Sequence, residues 1–269
     1  MVKLSRFRIE PDQKVHLADW DSNDDVGIDK DEGIAAFEQF QAKFVEMSKV
    51  LYAESKRSLL IVFQGMDTSG KDSSTRALFR NVSPTGVKAT AFKVPSAEEL
   101  AHDFLWRIHQ HTPGRGEIAI FNRSHYEDVL IVRVKQLVPE SRWKARYAHI
   151  RAFEQTLADE GTVIIKFYLH ISRDYQKERL QKRLDDPEKR WKFNPSDLVE
   201  RQRWGDYMAA YEDALSRCST QDAPWYVIPA EKRWFRDLLM ASVLVETLEG
   251  LNMRYPVPAF DPATIVIPD

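Results

Sequence analysis

The segment Gly65-Met66-Asp67-Thr68-Ser69-Gly70-Lys71-Asp72 limits the possible folds of this chain more than any other stretch. It has the spacing GxxxxGK and stands between an apolar, β-branched run at 59–64 and a stretch of helical spacing at 71–80. Glycines at both ends let the backbone turn so that successive N–H groups point inward at the start of a helix. Such a nest, backed by the helix dipole, holds phosphate. The pattern is that of a P-loop, in which Lys71 carries a mobile positive charge to the transferring group. Gly65, Met66, Thr68, Ser69, Gly70, Lys71, Asp72 and Ser73 are the expected phosphate-binding set.

Two departures from the usual P-loop carry information. Asp72 follows the lysine where Ser or Thr would ordinarily bind Mg²⁺, and Ser73 comes one place later. A second carboxylate, Asp67, lies inside the loop, where repulsion from bound phosphate costs on the order of several kcal/mol at intermediate dielectric. A cation must offset it. Asp67 is therefore expected to hold Mg²⁺, directly or through water, or to orient the attacking phosphate oxygen, while Asp72 favours the positive helix end.

The run at 117–122 ends in Asn122-Arg123-Ser124-His125-Tyr126-Glu127-Asp128, polar residues delivered to the carboxyl edge of a sheet beside the loop. Asn122 stands where an Asp is common. Arg123 can bridge phosphate oxygens bidentately and stabilise charge in transit, which makes it a catalytic candidate. Glu127 and Asp128 either add acceptor groups or start the next helix.

Five short apolar runs, 59–64, 87–94, 117–122, 162–171 and 225–229, suit strands buried on both faces. Helical spacing at 71–80, 97–111, 143–159, 197–217 and 234–251 alternates with them. The expectation is an α/β fold of P-loop kinase type, a three-layer α/β/α sandwich around a parallel five-stranded sheet, with a helical lid. Residues 31–51, with Ile34, Phe37, Phe40, Phe44 and Met47 on one stripe, form a helix packing on that core. The first 30 or so residues and the Pro-rich end are expected to run as extended arms, of a kind that often crosses subunit interfaces. The expected division is 1–55 for arm and helix, 56–256 for the core with a lid at about 173–205, and 257–269 for a tail.

Residues 177–192 hold seven basic and four acidic side chains. Dense charge of this sort usually marks a solvated face, but nucleotide-phosphate kinases commonly close an arginine-bearing lid at this point in the chain. Arg179, Lys182 and Arg183 share one side of the helix, and Lys189, Arg190 and Lys192 follow a break at Pro187. A movable lid is the preferred reading. Other signals are weaker: His109 and His111 face different ways on a helix, Asp103 and Arg107 make at most an exposed pair, and the tryptophans in the C-terminal half serve as packing anchors.

Hydrophobic residues at 43% and charged residues at 30% describe a globular chain rather than a disordered or fibrous one. A formal charge of −2 excludes a global basic field, so nucleic acid is not an expected partner and any polyanion must be held by a local cluster. The single cysteine, Cys218, reads as a packed thiol in a reducing compartment. Charges interrupt every apolar run near the N-terminus, and no segment approaches the ~20 apolar residues of a membrane span. Cytoplasmic residence without membrane attachment is the expectation.

Taken together, GMDTSGKDS, FKVPSAEELAHDFLWRIHQ, IFNRSHYEDVL, KRWKFNPSDL and APWYVIPA resemble the family-2 polyphosphate kinases, in order from about residue 30 to residue 256. The resemblance implies a P-loop fold related to thymidylate kinases and transfer between inorganic polyphosphate and nucleotides: AMP to ADP and ADP to ATP, with guanine nucleotides as further candidates. Mg²⁺, for which Mn²⁺ could substitute, is the expected cofactor, and a homo-oligomer, dimer or tetramer, the expected assembly. By that likeness Asp67 and Lys71 match the family's P-loop acid and lysine, Arg123 its second-motif arginine, and Arg179 and Arg183 its lid arginines. Asn122-Arg123 departs from the Asp-Arg of many members and resembles those that accept both AMP and ADP, with Glu127 implicated in that breadth. Asn122, Tyr126, Glu127 and Asp128 are the nucleotide-site candidates. The rival readings are an ATP-dependent nucleoside monophosphate kinase and a non-catalytic polyphosphate-binding protein.

Overall fold

The structure is a computed structural model that describes residues 2–268. In chain order it contains β1 (Arg8–Ile9), α1 (Lys30–Glu54), β2 (Ser58–Gln64), α2 (Lys71–Leu78), β3 (Val87–Ala91), α3 (Ala97–Ala101), α4 (Trp106–His109) and β4 (Ile118–Asn122). There follow α5 (Ile131–Val134), α6 (Glu140–Asp159), β5 (Thr162–His170), α7 (Arg173–Asp185), α8 (Ser196–Gln202), α9 (Trp204–Cys218), β6 (Trp225–Pro229) and α10 (Arg233–Gly250). Short 3₁₀ turns at Leu4–Arg6, Leu17–Asp19, His125–Asp128, Arg190–Lys192 and Pro262–Thr264 complete the list.

The sheet has the order β1-β6-β5-β2-β4-β3. Its five long strands are parallel, with Leu59 of β2 opposite Ile118 of β4 and Val163 of β5. Every residue of β2 is buried, as a strand covered on both faces requires. Helices α1, α2 and α10 pack together on one face, and α5, α6 and α9 on the other. The α1 backbone approaches closely at Gly33, where a Cβ would meet the Trp234 ring at 2.2 Å.

Several expectations need correction. The sheet has six strands, because Arg8 and Ile9 pair antiparallel with Tyr226 and Trp225 on the β6 edge. A two-residue strand shows no alternation, so periodicity could not reveal it. The N-terminal segment is accordingly no free arm: Phe7, Ile9, Val15 and Leu17 are all buried against their own core. Strand β3 ends at Ala91 and lies on the other edge, with Lys88, Ala89 and Ala91 exposed rather than buried on both faces. The helix expected over 97–111 breaks at 102–105, which leaves Arg107 paired with Glu99 at 3.1 Å instead of with Asp103. A second break at Arg203 separates α8 from α9. Trp191 is 78% exposed and anchors no packing, whereas Trp225 is fully buried. Among the described residues no helix is long and apolar enough to cross a membrane.

Candidate active site

Parallel strands all end at one edge of the sheet, and β2 delivers the glycine-rich loop there. Gly65 has φ +150°, and a Cβ on it would come within 2.7 Å of the Leu169 carbonyl oxygen on β5. Gly70 has φ +104°, and a Cβ there would lie 2.1 Å from Nη1 of Arg236 on α10. Both positions demand glycine, for conformation and for space. Thr68 also adopts a left-handed conformation, φ +73°. The loop thus curls as the spacing predicts. The Thr68 and Ser69 hydroxyls are buried without a protein partner, the kind of unsatisfied group that signals a missing acceptor. Met66 is buried, and the Ser73 hydroxyl donates to the Gly70 carbonyl at 2.8 Å.

Lys71 is buried at the start of α2, with Nζ donating to the carbonyls of Gly65 (2.7 Å) and Met66 (3.2 Å). Burial and the nearby Arg123 charge pull its pKa down to about 8, against the opposing pull of Asp67, Glu127 and Asp72. The ammonium therefore sits where a second source of negative charge would stabilise it strongly.

Strand β4, next to β2, brings the second motif to the same edge. The chain turns sharply at Arg123, φ +61°, whose N–H donates to the Phe63 carbonyl at 3.0 Å. Its guanidinium donates to Asp67 Oδ1 at 2.7 Å across the loop. Burial opposes the Arg123 charge, but Glu127, Asp67 and Tyr211 outweigh it and hold the pKa above its ordinary value. The Asn122 amide donates to the Asp72 carboxylate, so two of the departures from the usual P-loop kinase pattern bond to each other. Glu127 accepts from the Gln64 amide at 3.1 Å when that amide also accepts from Ser124. Burial raises its pKa, with Arg123 and Lys71 pulling the other way.

The neighbours of Glu127 face elsewhere. Tyr126, a nucleotide-site candidate from sequence, is wholly buried, with its hydroxyl donating to Glu154 at 2.9 Å. Four consecutive polar residues in a 3₁₀ turn show no periodicity that could have revealed this inward orientation. Asp128 points to the far side of the turn and pairs with Arg146 at 2.8 Å. Burial lifts its pKa to about 6 in spite of Arg146 and Arg107. It borders a cavity of about 490 Å³ lined by Phe104, Arg107, Arg142, Arg146 and His149 among others. One short turn thus presents Glu127 to the loop and Asp128 to this groove.

The charge-dense segment folds as α7 and the turn after it. Arg179 and Arg183 are half-buried, and the Arg179 pKa is lowered by burial and by the charges of Arg233 and Arg183. Arg183 lies 3.7 Å from Asp197, whose pKa is raised by burial and by Asp67. Lys182, Lys189, Arg190 and Lys192 are exposed and engaged locally: Lys182 with Glu178, Lys189 with Asp186, Arg190 with the Leu184 carbonyl, and Lys192 over the Trp191 ring. Of the six lid candidates, Arg179 and Arg183 are thus half-buried and the other four exposed.

Sequence reasoning missed three residues here. Gln176 is buried and donates to the Asp67 carbonyl at 3.1 Å, while Arg201 donates to Gln176 at 3.1 Å. Gln176 precedes Arg179 and Arg183 by three and seven places, so a helical-face reading would have found it. Arg236, buried behind Gly70 and held by Asp237 at 2.8 Å, gave no sequence signal. His109 and His111 pack edge-on against Phe153 and Phe92.

Comparison with known proteins places this geometry in a family. The chain is 50% identical to an AMP/ADP-polyphosphate phosphotransferase of Meiothermus ruber over 98% of its length and 100% of the relative's. It is 42% identical to an ADP-polyphosphate phosphotransferase of Rhodopseudomonas palustris, covering 95% of this chain and 93% of that one. The crystal structure of polyphosphate kinase 2 from Arthrobacter aurescens TC1 superposes with a TM-score of 0.90 at 42% identity, over 93% of this chain and 90% of that one. With residues 27–256 matching the model for polyphosphate kinase 2, the chain belongs to that family.

Proposed function

We propose that this protein transfers phosphoryl groups between inorganic polyphosphate and adenine nucleotides, AMP to ADP and ADP to ATP. The observation that carries the reading is the convergence on one loop of Lys71, the Arg123–Asp67 pair and two buried, unpartnered hydroxyls. A phosphate chain in the nest accepts from those hydroxyls and draws Lys71 Nζ off the loop carbonyls. Arg123 spans the transferring group, and its bond to Asp67 fixes the guanidinium beforehand, which is positioning rather than covalent chemistry. The relatives' names support polyphosphate as donor and AMP or ADP as acceptor.

Asp67 fits Mg²⁺ in one respect and limits it in another. No group of three potential ligands gathers among the described residues, which suits an ion held by one or two carboxylates and completed by phosphate oxygens. Asp67, with Asp197 nearby, would hold it; Mn²⁺ needs the same donors. Bound there, the ion neutralises charge on the transferring phosphate. Asp67 shares that carboxylate with Arg123, so metal and guanidinium act on one side chain. The segment from α7 to α8 is read as a lid: Gln176 ties its base to the loop, and the half-buried Arg179 and Arg183 would close over the donor.

The test is chromatography of products from AMP, polyphosphate and Mg²⁺. ADP followed by ATP supports both transfers. Turnover with ATP and AMP but none with polyphosphate would make the protein a nucleoside monophosphate kinase instead.

A further inference from the structure

Beneath the second motif lies a charged network that the transfer itself does not use. Lys166 of β5 and Glu154 of α6 are 0% and 1% exposed, and Nζ meets Glu154 Oε2 at 2.5 Å. The other two ammonium protons go to the Tyr126 hydroxyl at 2.9 Å and the Cys218 carbonyl at 2.6 Å. Glu154 Oε1 accepts from the Tyr126 hydroxyl at 2.9 Å and from His125 Nε2 at 3.0 Å. That contact assigns the proton to Nε2 and leaves Nδ1 buried without a partner.

We infer that Glu154 and Lys166 are positioning residues for phosphoryl transfer: their buried pair, closed through His125 and Tyr126, fixes the turn that carries Arg123 and Glu127. The inference rests on the polyphosphate-transfer reading for what the turn does, and on geometry alone for what holds it.

Position 166 lies between Ile165 and Phe167 in a strand whose residues are almost all buried. Taking two charges out of water there costs more than an apolar pair of similar volume would. The pair therefore gains the sheet little, and its effect is directional. One carboxylate oxygen receives two consecutive side chains of the turn, which fixes the orientation of the peptide between them. Arg123 stands two residues before His125, at φ +61°, and Glu127 directly follows Tyr126. The Cys218 carbonyl extends the network to the end of α9, so two helices and a strand hold the turn. Both groups that face the P-loop flank this anchored dipeptide.

Two variants separate positioning from simple stability. The double substitution Glu154→Leu with Lys166→Met replaces the pair by apolar volume, and Tyr126→Phe removes one hydroxyl at constant shape. The folded double variant, in which the His125 ring, the Tyr126 hydroxyl and the Cys218 carbonyl lose these partners, should melt at a lower temperature, lose about tenfold or more in kcat, and keep KM for polyphosphate within about twofold. Amide hydrogen exchange at 123–128 should accelerate roughly tenfold while β2 is unchanged. A folded double variant with kcat within about twofold of the parent and unchanged exchange at 123–128 overturns the inference. If the double variant does not fold, Tyr126→Phe decides: a loss of about threefold in kcat at unchanged KM supports it, and parental kcat with parental exchange overturns it. A parent protein that fails to use polyphosphate defeats the functional reading instead, and the exchange comparison still decides whether the network holds the turn.

Discussion

Lys71 shows how far a single residue can be placed against its own stability. Burial brings its pKa from 10.5 to about 8, equivalent to roughly 3 kcal/mol of cost for the charged form. The unfolded chain keeps that proton up to the ordinary lysine value, while the folded chain releases it near 8. Unfolding therefore takes up protons between the two values, and this group makes stability rise with pH across that window. Lys71→Met should raise the melting temperature at pH 7, flatten the rise between about 8 and 10.5, and abolish turnover. Thermal unfolding at several pH values checks the first two effects, and a parental pH slope would contradict them. In the parent, kcat/KM should fall above about pH 8, and kcat only at higher pH, because a bound polyanion favours the ammonium. Gly65→Ala tests the loop's shape: with φ +150° and a backbone oxygen 2.7 Å from the new methyl, it should cost about 1–3 kcal/mol and raise KM for polyphosphate at least tenfold or so. Parental KM would mean the nest tolerates a different path.

At the scale of elements, the tie between α7 and the P-loop is made by Gln176 rather than by an arginine. Its amide reaches the Asp67 carbonyl at 3.1 Å and its oxygen accepts from Arg201 of α8 at 3.1 Å, so one buried side chain couples the loop, α7 and α8. Gln176→Ala leaves the part-buried Asp67 carbonyl without this donor and Arg201 with the Arg173 carbonyl alone, a loss of about 1–2 kcal/mol, and should raise KM for polyphosphate several-fold. Lys182→Ala, at an exposed position paired only with Glu178, should change neither by more than about twofold. Steady-state kinetics with both variants checks the contrast, and equal effects would mean that α7 acts as a uniform basic surface. The same elements show what the sequence could convey. The five parallel strands and the P-loop were legible, because buried runs and glycine spacing are local signals. The breaks at 102–105 and Arg203 were not, since neither proline nor glycine falls within 102–105 and Gly205 stands two residues past Arg203, inside α9. Nor was the inward turn of Tyr126, which depends on Glu154 and Lys166, partners 28 and 40 residues away.

For the molecule as a whole, the N-terminal segment is where local reading failed most and where a substitution says most. The segment lacks helical periodicity, so the sequence suggested an extended arm of a kind that often crosses to a neighbour. The structure instead seats Phe7, 1% exposed, edge-on against Phe235 of α10 with ring centroids 6.0 Å apart. The helix that receives it also carries Arg236 against Gly70, so the segment buttresses the phosphate loop through the core of its own chain. Phe7→Ala should therefore cost about 3–5 kcal/mol, a fall in melting temperature on the order of 10 °C. Because the contact lies within one chain, that fall should be the same at every protein concentration. Below the transition, kcat should stay near the parental value, since the loop's own bonds do not pass through Phe7. A melting temperature that drops more at low concentration would show the segment working between subunits, and the docking of Phe7 on Phe235 would then describe a partner's helix, not its own.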